Sequence, residues 1–154
     1  MKPRMNYFQI APEPVKTLMA LETQIRGSGL EQSLIELVKI RASQINGCAY
    51  CIHMHTQDAR KHGESEQRIY LLDAWHEAPV YTDRERAALA WTEAVTLISQ
   101  THAPDDVYNE VRAHFSETET VNLTMMIVSI NTWNRLSIAF RAIPPVKVSA
   151  STAA

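Results

Sequence analysis

Glu31-Gln32-Ser33-Leu34-Ile35-Glu36-Leu37-Val38-Lys39-Ile40-Arg41-Ala42-Ser43-Gln44-Ile45-Asn46-Gly47-Cys48-Ala49-Tyr50-Cys51-Ile52-His53-Met54-His55 holds one helix, its stop and the beginning of another. Leu34, Leu37, Val38 and Ile40 return at three- and four-residue steps, which makes an apolar stripe on a helix from about Glu31 to Gln44. Asn46-Gly47 interrupts that pattern, and Asn46 is placed to cap the helix that follows. At about 100° per residue, Cys48, Cys51 and His55 of this next helix fall within about 60° of one another and face one cleft. His53 lies off that face.

The same period extends in both directions, and the chain has only four glycines, so the fold class is all-α with about six to seven helices. Upstream, Val15, Leu18, Met19 and Ile25 mark a helix that ends at Gly27-Ser28-Gly29. Downstream, the cysteine helix stops near Gly63, and another runs from about Glu64 to Trp75. Thr82-Asp83-Arg84-Glu85 is a capping box opening a helix through Trp91 to about Ser99. Pro104 begins a short helix, and Ser116-Glu117-Thr118-Glu119 is a second capping box before the long apolar run Val121 to Phe140. Polar residues at Asn122, Thr124, Ser129, Asn131 and Asn134 make that run a buried helix rather than a membrane span. Asn131 and Asn134 then need hydrogen-bond partners, from a subunit or helix-end contact. Trp75, Trp91, Trp133 and Met125-Met126-Ile127-Val128 read as core or subunit interface.

The 154 residues suit one domain, read as 1–145, followed by a flexible tail over 146–154. A formal net charge of −2 with scattered Lys and Arg gives no footprint for nucleic acid or an anionic membrane. The first residues hold no apolar signal core, and no run approaches the ~18 apolar residues of a membrane span. A cytoplasmic location is expected. There a lone close pair of cysteines is catalytic or metal-binding more often than a permanent bridge.

Cys48 and Cys51 are the two cysteines of the chain. A pair three apart can close a small disulfide ring and reopen it, with nearby imidazole and carboxylate groups moving the protons. A site at the beginning of a helix favours the thiolate at Cys48. Glu36, on the preceding helix, can turn back across the Asn46-Gly47 break to reach His55 or a water. Two other readings stand beside this one. Half a zinc site needs further ligands from His53, His55 or Glu36, and the two cysteines could be inert core residues. Taken alone, Glu36 reads as an ordinary surface carboxylate.

Glu36, eleven residues, Cys48-Ala49-Tyr50-Cys51, three residues and His55 together resemble the signature of the alkylhydroperoxidase AhpD-like branch of the carboxymuconolactone decarboxylase family. The resemblance runs from about Leu34 to Trp91, and Asn131-Thr132-Trp133-Asn134-Arg135 is similar to the closing helix of these proteins. It implies an AhpD-like helical domain that assembles as a homo-oligomer, trimer or hexamer, and reduces hydroperoxides with peroxiredoxin-type activity. By this resemblance Cys51 is the peroxide-attacking thiol, Cys48 the resolving thiol, and Glu36 with His55 the proton relay. Position on the helix alone favours Cys48 as attacker. The implied reductant is an external dithiol, a lipoyl group or a thioredoxin-like protein, and neither cofactor nor metal is called for. Tyr50 departs from the histidine of the best-studied AhpD proteins; a phenol donates a hydrogen bond but is no base near neutral pH. The decarboxylase side of the family lacks the cysteine pair, which speaks against lactone decarboxylation. A reading from a different class is a helical oligomeric scaffold whose thiols sense oxidants without turnover.

Overall fold

A computed structural model describes residues 2–146; the tail expected beyond them lies outside the described residues. All regular structure among them is helical. The helices are α1 (Tyr7–Ile10), α2 (Pro12–Arg26), α3 (Gln32–Asn46), α4 (Ala49–Lys61), α5 (Glu66–Leu71), α6 (Asp83–Thr96), α7 (Ile98–Thr101), α8 (Asp105–His114) and α9 (Glu117–Phe140), with one 3₁₀ turn at Leu72–Ala74.

Helix α3 is the centre, packed by α4, α6 and α9. Its expected stripe is instead a helix buried on every side from Leu34 to Ile40. Ile35, Val38 and Leu34 meet Ala88, Trp91, Met126 and Ile127 in one cluster, while Leu37 and Ile40 meet Leu72, Trp75 and Leu89 in another. Trp75 and Trp91 are core, as expected. The Met125–Val128 run divides, with Met126 and Ile127 inside and Met125 and Val128 outside.

Burial on all sides also takes in two charged groups. Glu36 is 0% exposed and Lys39 1%, so Glu36 is no surface carboxylate. A buried charge requires a partner, and both have one. Lys39 Nζ lies 2.5 Å from Glu22 Oε2, and Ser129 donates to the other oxygen of Glu22 at 2.6 Å. Burial would raise the Glu22 carboxyl, but the charge and hydrogen bond of Lys39 outweigh it and hold the group below its ordinary value.

Both capping boxes form, Thr82 with Glu85 and Ser116 with Glu119. The junction between α3 and α4 differs from expectation. Gly47 takes φ +69° and ends α3, and the N–H of Cys48 closes back to the carbonyl of Ser43 at 2.9 Å. This is a glycine-dependent Schellman stop. Asn46 is therefore the last residue of α3 and not the cap of α4. Its side-chain amide turns inward to the carbonyl of Ala42 and to Asn131 Oδ1 and Asn134 Oδ1, at 2.8–3.0 Å. The partner required by Asn131 and Asn134 is thus a helix end within the chain. Asn134 also donates to Ser43 Oγ at 3.0 Å, and Asn131 to Thr96 Oγ1 at 3.1 Å.

Helix α1 was not anticipated from the sequence. Asn6 caps it, accepting from Phe8 N at 3.1 Å. It is held by tertiary contact: Arg4 donates from its backbone to Phe140 O and from Nη1 to Ala139 O, and the Tyr7 and Phe8 rings lie against Phe140 and Trp133. No helix among the described residues is long and apolar enough to cross a membrane.

Candidate active site

Cys48, displaced from the position expected for it, is itself the N-cap of α4. Its sulfur accepts the backbone N–H of Cys51 at 3.4 Å. The two sulfurs are 2.6 Å apart, with both cysteines free and each 1% exposed. The Cys48 thiol is lowered to about 7, first by its hydrogen bond with the Cys51 side chain and against burial, with hydrogen bonds of the Cys51 backbone, Ser137 and Asn134 adding. The hydrogen bond with Cys48 raises the Cys51 thiol, and burial and the charge of Cys48 add to it. The two thiols are shifted in opposite directions, and the position of Cys48 at the helix start favours a thiolate there.

Access runs the other way. A cleft of about 330 Å³ opens between α1, α2, α4 and α9, and of the two sulfurs only Cys51 lines it, together with His55 and Ser137. Its walls include Tyr7, Phe8, Met19, Met54 and Trp133, with Tyr50 beside the cysteine. Ser137 Oγ lies 3.7 Å from Cys51 Sγ. Burial pushes the Tyr7 phenol up, partly offset by its hydrogen bond with Ser137, so this ring stays a neutral donor.

Glu36 and His55, nineteen positions apart in sequence, meet across α3 and α4 with Oε2 and Nδ1 2.8 Å apart. The second oxygen of Glu36 accepts from Gln32 at 2.7 Å and lies 3.6 Å from Arg26 Nη1. All four residues taken from the sequence are thus brought to one site. His53 turns outward to Gln57. Asp58, one turn beyond His55, also enters the cleft, and its carboxylate lies within 4.8 Å of the ligand atoms of both Glu36 and His55. Among the described residues this is the group of His, Cys, Asp and Glu atoms spaced to hold a metal ion, and it does not include either cysteine.

Sequence reasoning missed Tyr7, Arg26, Asp58, Asn134 and Ser137. Asp58 and Ser137 had a signal, since each repeats the facing of a site residue: Asp58 follows His55 by three positions, and Ser137 follows Asn134 by three. Tyr7 and Arg26 had none, because only tertiary packing brings them to the cleft.

Residues 12–94 match the carboxymuconolactone decarboxylase family. The chain belongs to that family. It is 50% identical over 139 residues to the uncharacterized protein YdfG of Bacillus subtilis, covering 90% of this chain and 95% of that one. The crystal structure of ATU0492 from Agrobacterium tumefaciens superposes with a TM-score of 0.93 at 51% identity, covering 95% of this chain and all of the other. That protein is of unknown function and provisionally described as an antioxidant defence protein AhpD. These likenesses place the chain on the AhpD-like side of the family. The debrominase Bmp8 shares the fold at a TM-score of 0.76 and 18% identity, over 94% of this chain and 75% of its own. The family fold therefore carries more than one chemistry.

Proposed function

We propose that the chain is a thiol-dependent hydroperoxide reductase. The observation that carries this reading is the pair of adjacent sulfurs, one of them lining a cleft that His55 also lines with Glu36 hydrogen-bonded behind it. At rest, Cys48 is the thiolate and Cys51 the thiol that donates to it. Cys51 sulfur attacks the terminal oxygen of a hydroperoxide and passes its proton to Cys48. The O–O bond breaks, and the departing alkoxide takes a proton from the imidazolium of His55 and leaves as an alcohol. Cys48 thiol then attacks the sulfenic acid on Cys51, forming the disulfide and releasing water. An external dithiol restores the pair by exchange and leaves as its own disulfide. Glu36 holds His55 in orientation and balances its charge, as a buried carboxylate does for an imidazole. Tyr50, the departure from the histidine pattern, supplies a phenol at the cleft rather than a base.

Two facts pull the cysteine roles apart, since the lower thiol is Cys48 and the cleft-lining thiol is Cys51. Access favours Cys51 as the attacker, because it is the sulfur that borders the space a peroxide would enter. The burial of both sulfurs also favours a slender dithiol arm, of the lipoyl kind, over the rigid surface of a folded thioredoxin.

The test is peroxide consumption driven by a panel of dithiols, in wild type and in the Cys51→Ser and Cys48→Ser variants. Turnover should vanish in both, with Cys48→Ser accumulating a sulfenic acid on Cys51 that a nucleophilic trap labels. Full turnover in either variant discards the mechanism. Wild type that oxidises once, reversibly, and no faster than a free thiol is a sensor rather than an enzyme.

A further inference from the structure

The pair of Glu36 and His55 reaches the cleft only through His55, whose side chain is almost fully buried. Glu36 is fully enclosed by His55, Gln32 and Arg26, and His55 is itself buried. Yet the cycle proposed above, on which this inference rests, needs an opening to solvent. Starting from one thiolate and one thiol, a hydroperoxide gives the disulfide, an alcohol and water only if one proton enters the site. Reduction of that disulfide by a dithiol regenerates thiolate and thiol and releases one proton. Each half of the cycle therefore moves one proton between the buried site and bulk water.

We infer that Asp58 is the solvent end of this relay, a positioning residue that orders the water connecting His55 to the cleft mouth. Asp58 is half-buried at the cleft, whereas His55 borders the cleft while almost fully buried and Glu36 does not reach it. Asp58 makes no direct hydrogen bond to Glu36 or His55 among the described residues, and the ligand atoms of the three lie within 4.8 Å of one another, a spacing one water can bridge. Burial would raise the Asp58 carboxyl, but the hydrogen bond and charge of Lys61 outweigh it, with the charges of His55 and Arg26 adding, so it stays ionised and accepts hydrogen bonds only. Lys61 holds Oδ1 at 2.8 Å, fixing the carboxylate at the end of α4 next to solvent.

The other charged groups around the cleft do not replace it. Glu22 is committed to Lys39 and Ser129, and Arg26 is a cation. Tyr7 is a phenol raised by burial, and Tyr50 is likewise no base near neutral pH. The sequence signature does not contain Asp58, and nothing in the Cys-x-x-Cys pattern requires it.

The experiment compares wild type, Asp58→Asn and Asp58→Glu in peroxide turnover with a dithiol donor, with and without added formate. Asp58→Asn should turn over roughly tenfold more slowly, less than the hundredfold or more of a group that itself transfers the proton, because Asp58 acts through a water. Prolonged exposure to peroxide should still carry its Cys48–Cys51 pair to complete disulfide. Formate, a small diffusible carboxylate, should restore part of the rate in Asp58→Asn and leave wild type unchanged, and Asp58→Glu should retain most of it. Asp58→Asn within twofold of wild type overturns the inference while leaving the reductase reading intact. So does a slow Asp58→Asn that formate does not rescue, since the residue would then be structural. A wild type without turnover overturns the reductase reading, and the inference with it.

Discussion

The backbone N–H of Cys51 points at the sulfur of Cys48, so the first turn of α4 is capped by a thiol where a hydroxyl or carboxylate usually sits. A sulfur in that position gains most as an anion. The consequence is measurable in single-cysteine variants followed by thiolate absorbance against pH. In Cys51→Ser, the remaining Cys48 keeps the backbone donor and a hydroxyl donor, and should titrate well below an ordinary thiol. In Cys48→Ser, the remaining Cys51 should titrate higher. Equal midpoints, or the reverse order, would remove the resting state assumed in the mechanism.

The Glu36 carboxylate faces His55 from a position with no access to water. Glu36→Gln keeps the shape and the acceptor for Gln32 but removes the charge that balances an imidazolium. Peroxide turnover should fall by about a hundredfold, within the range for a general acid–base group. The melting temperature should change much less, and a variant as active as wild type would take Glu36 out of the relay.

Lys39 and Glu22 offer a test of stability rather than of chemistry. Removing Glu22 leaves Lys39, which is fully buried, without its counter-charge, so Glu22→Ala should cost about 3–5 kcal/mol in urea unfolding. Replacing both with apolar residues of similar volume should recover much of that loss. The same pair sets an acid limit. Glu22 is held lower in the folded state than in the unfolded chain, so its contribution is complete above the ordinary carboxylate value of about 4.3. It is lost as pH falls toward the folded-state value. Acid unfolding of the double variant should be displaced to lower pH relative to any loss seen in neutral urea.

Gly47 stands at φ +69° with no atom near the place a Cβ would occupy. Gly47→Ala therefore costs backbone strain and not a clash, roughly 1–2 kcal/mol. Because the next residue is Cys48, the alanine variant should also oxidise its cysteine pair more slowly. Gly47→Asn should be milder on both measures, as asparagine tolerates this conformation better than alanine.

Much of the fold could be read from Leu34 to Ile40, from the two capping boxes and from Gly63, because each is a local rule about periodicity or chain termination. Glu36 and His55 could be read as a pair from the chain reversal at Asn46-Gly47, and their roles through the family pattern. Nothing local says that Glu36 is enclosed, since its burial depends on α2, α4 and α9 closing around α3. The exchange of roles between Asn46 and Cys48 has a local cause that spacing alone did not resolve. Gly47 could either begin one helix or end another, and its left-handed backbone ends α3. The contribution of α1 was not legible because a four-residue helix has no period to detect and is held by distant partners, Phe140 and Trp133.

Tyr7 and Phe8 wall the cleft from a segment that adds nothing to the buried core. The shield over the sulfurs and the body of the domain are therefore separable pieces of covalent chain. A version shortened to begin at residue 11 should still melt cooperatively, while its thiols react with any passing electrophile at nearly the rate of small-molecule thiols. Discrimination among oxidants would then belong to the first ten residues, and relatives with different front ends would differ in selectivity while keeping the same cysteines.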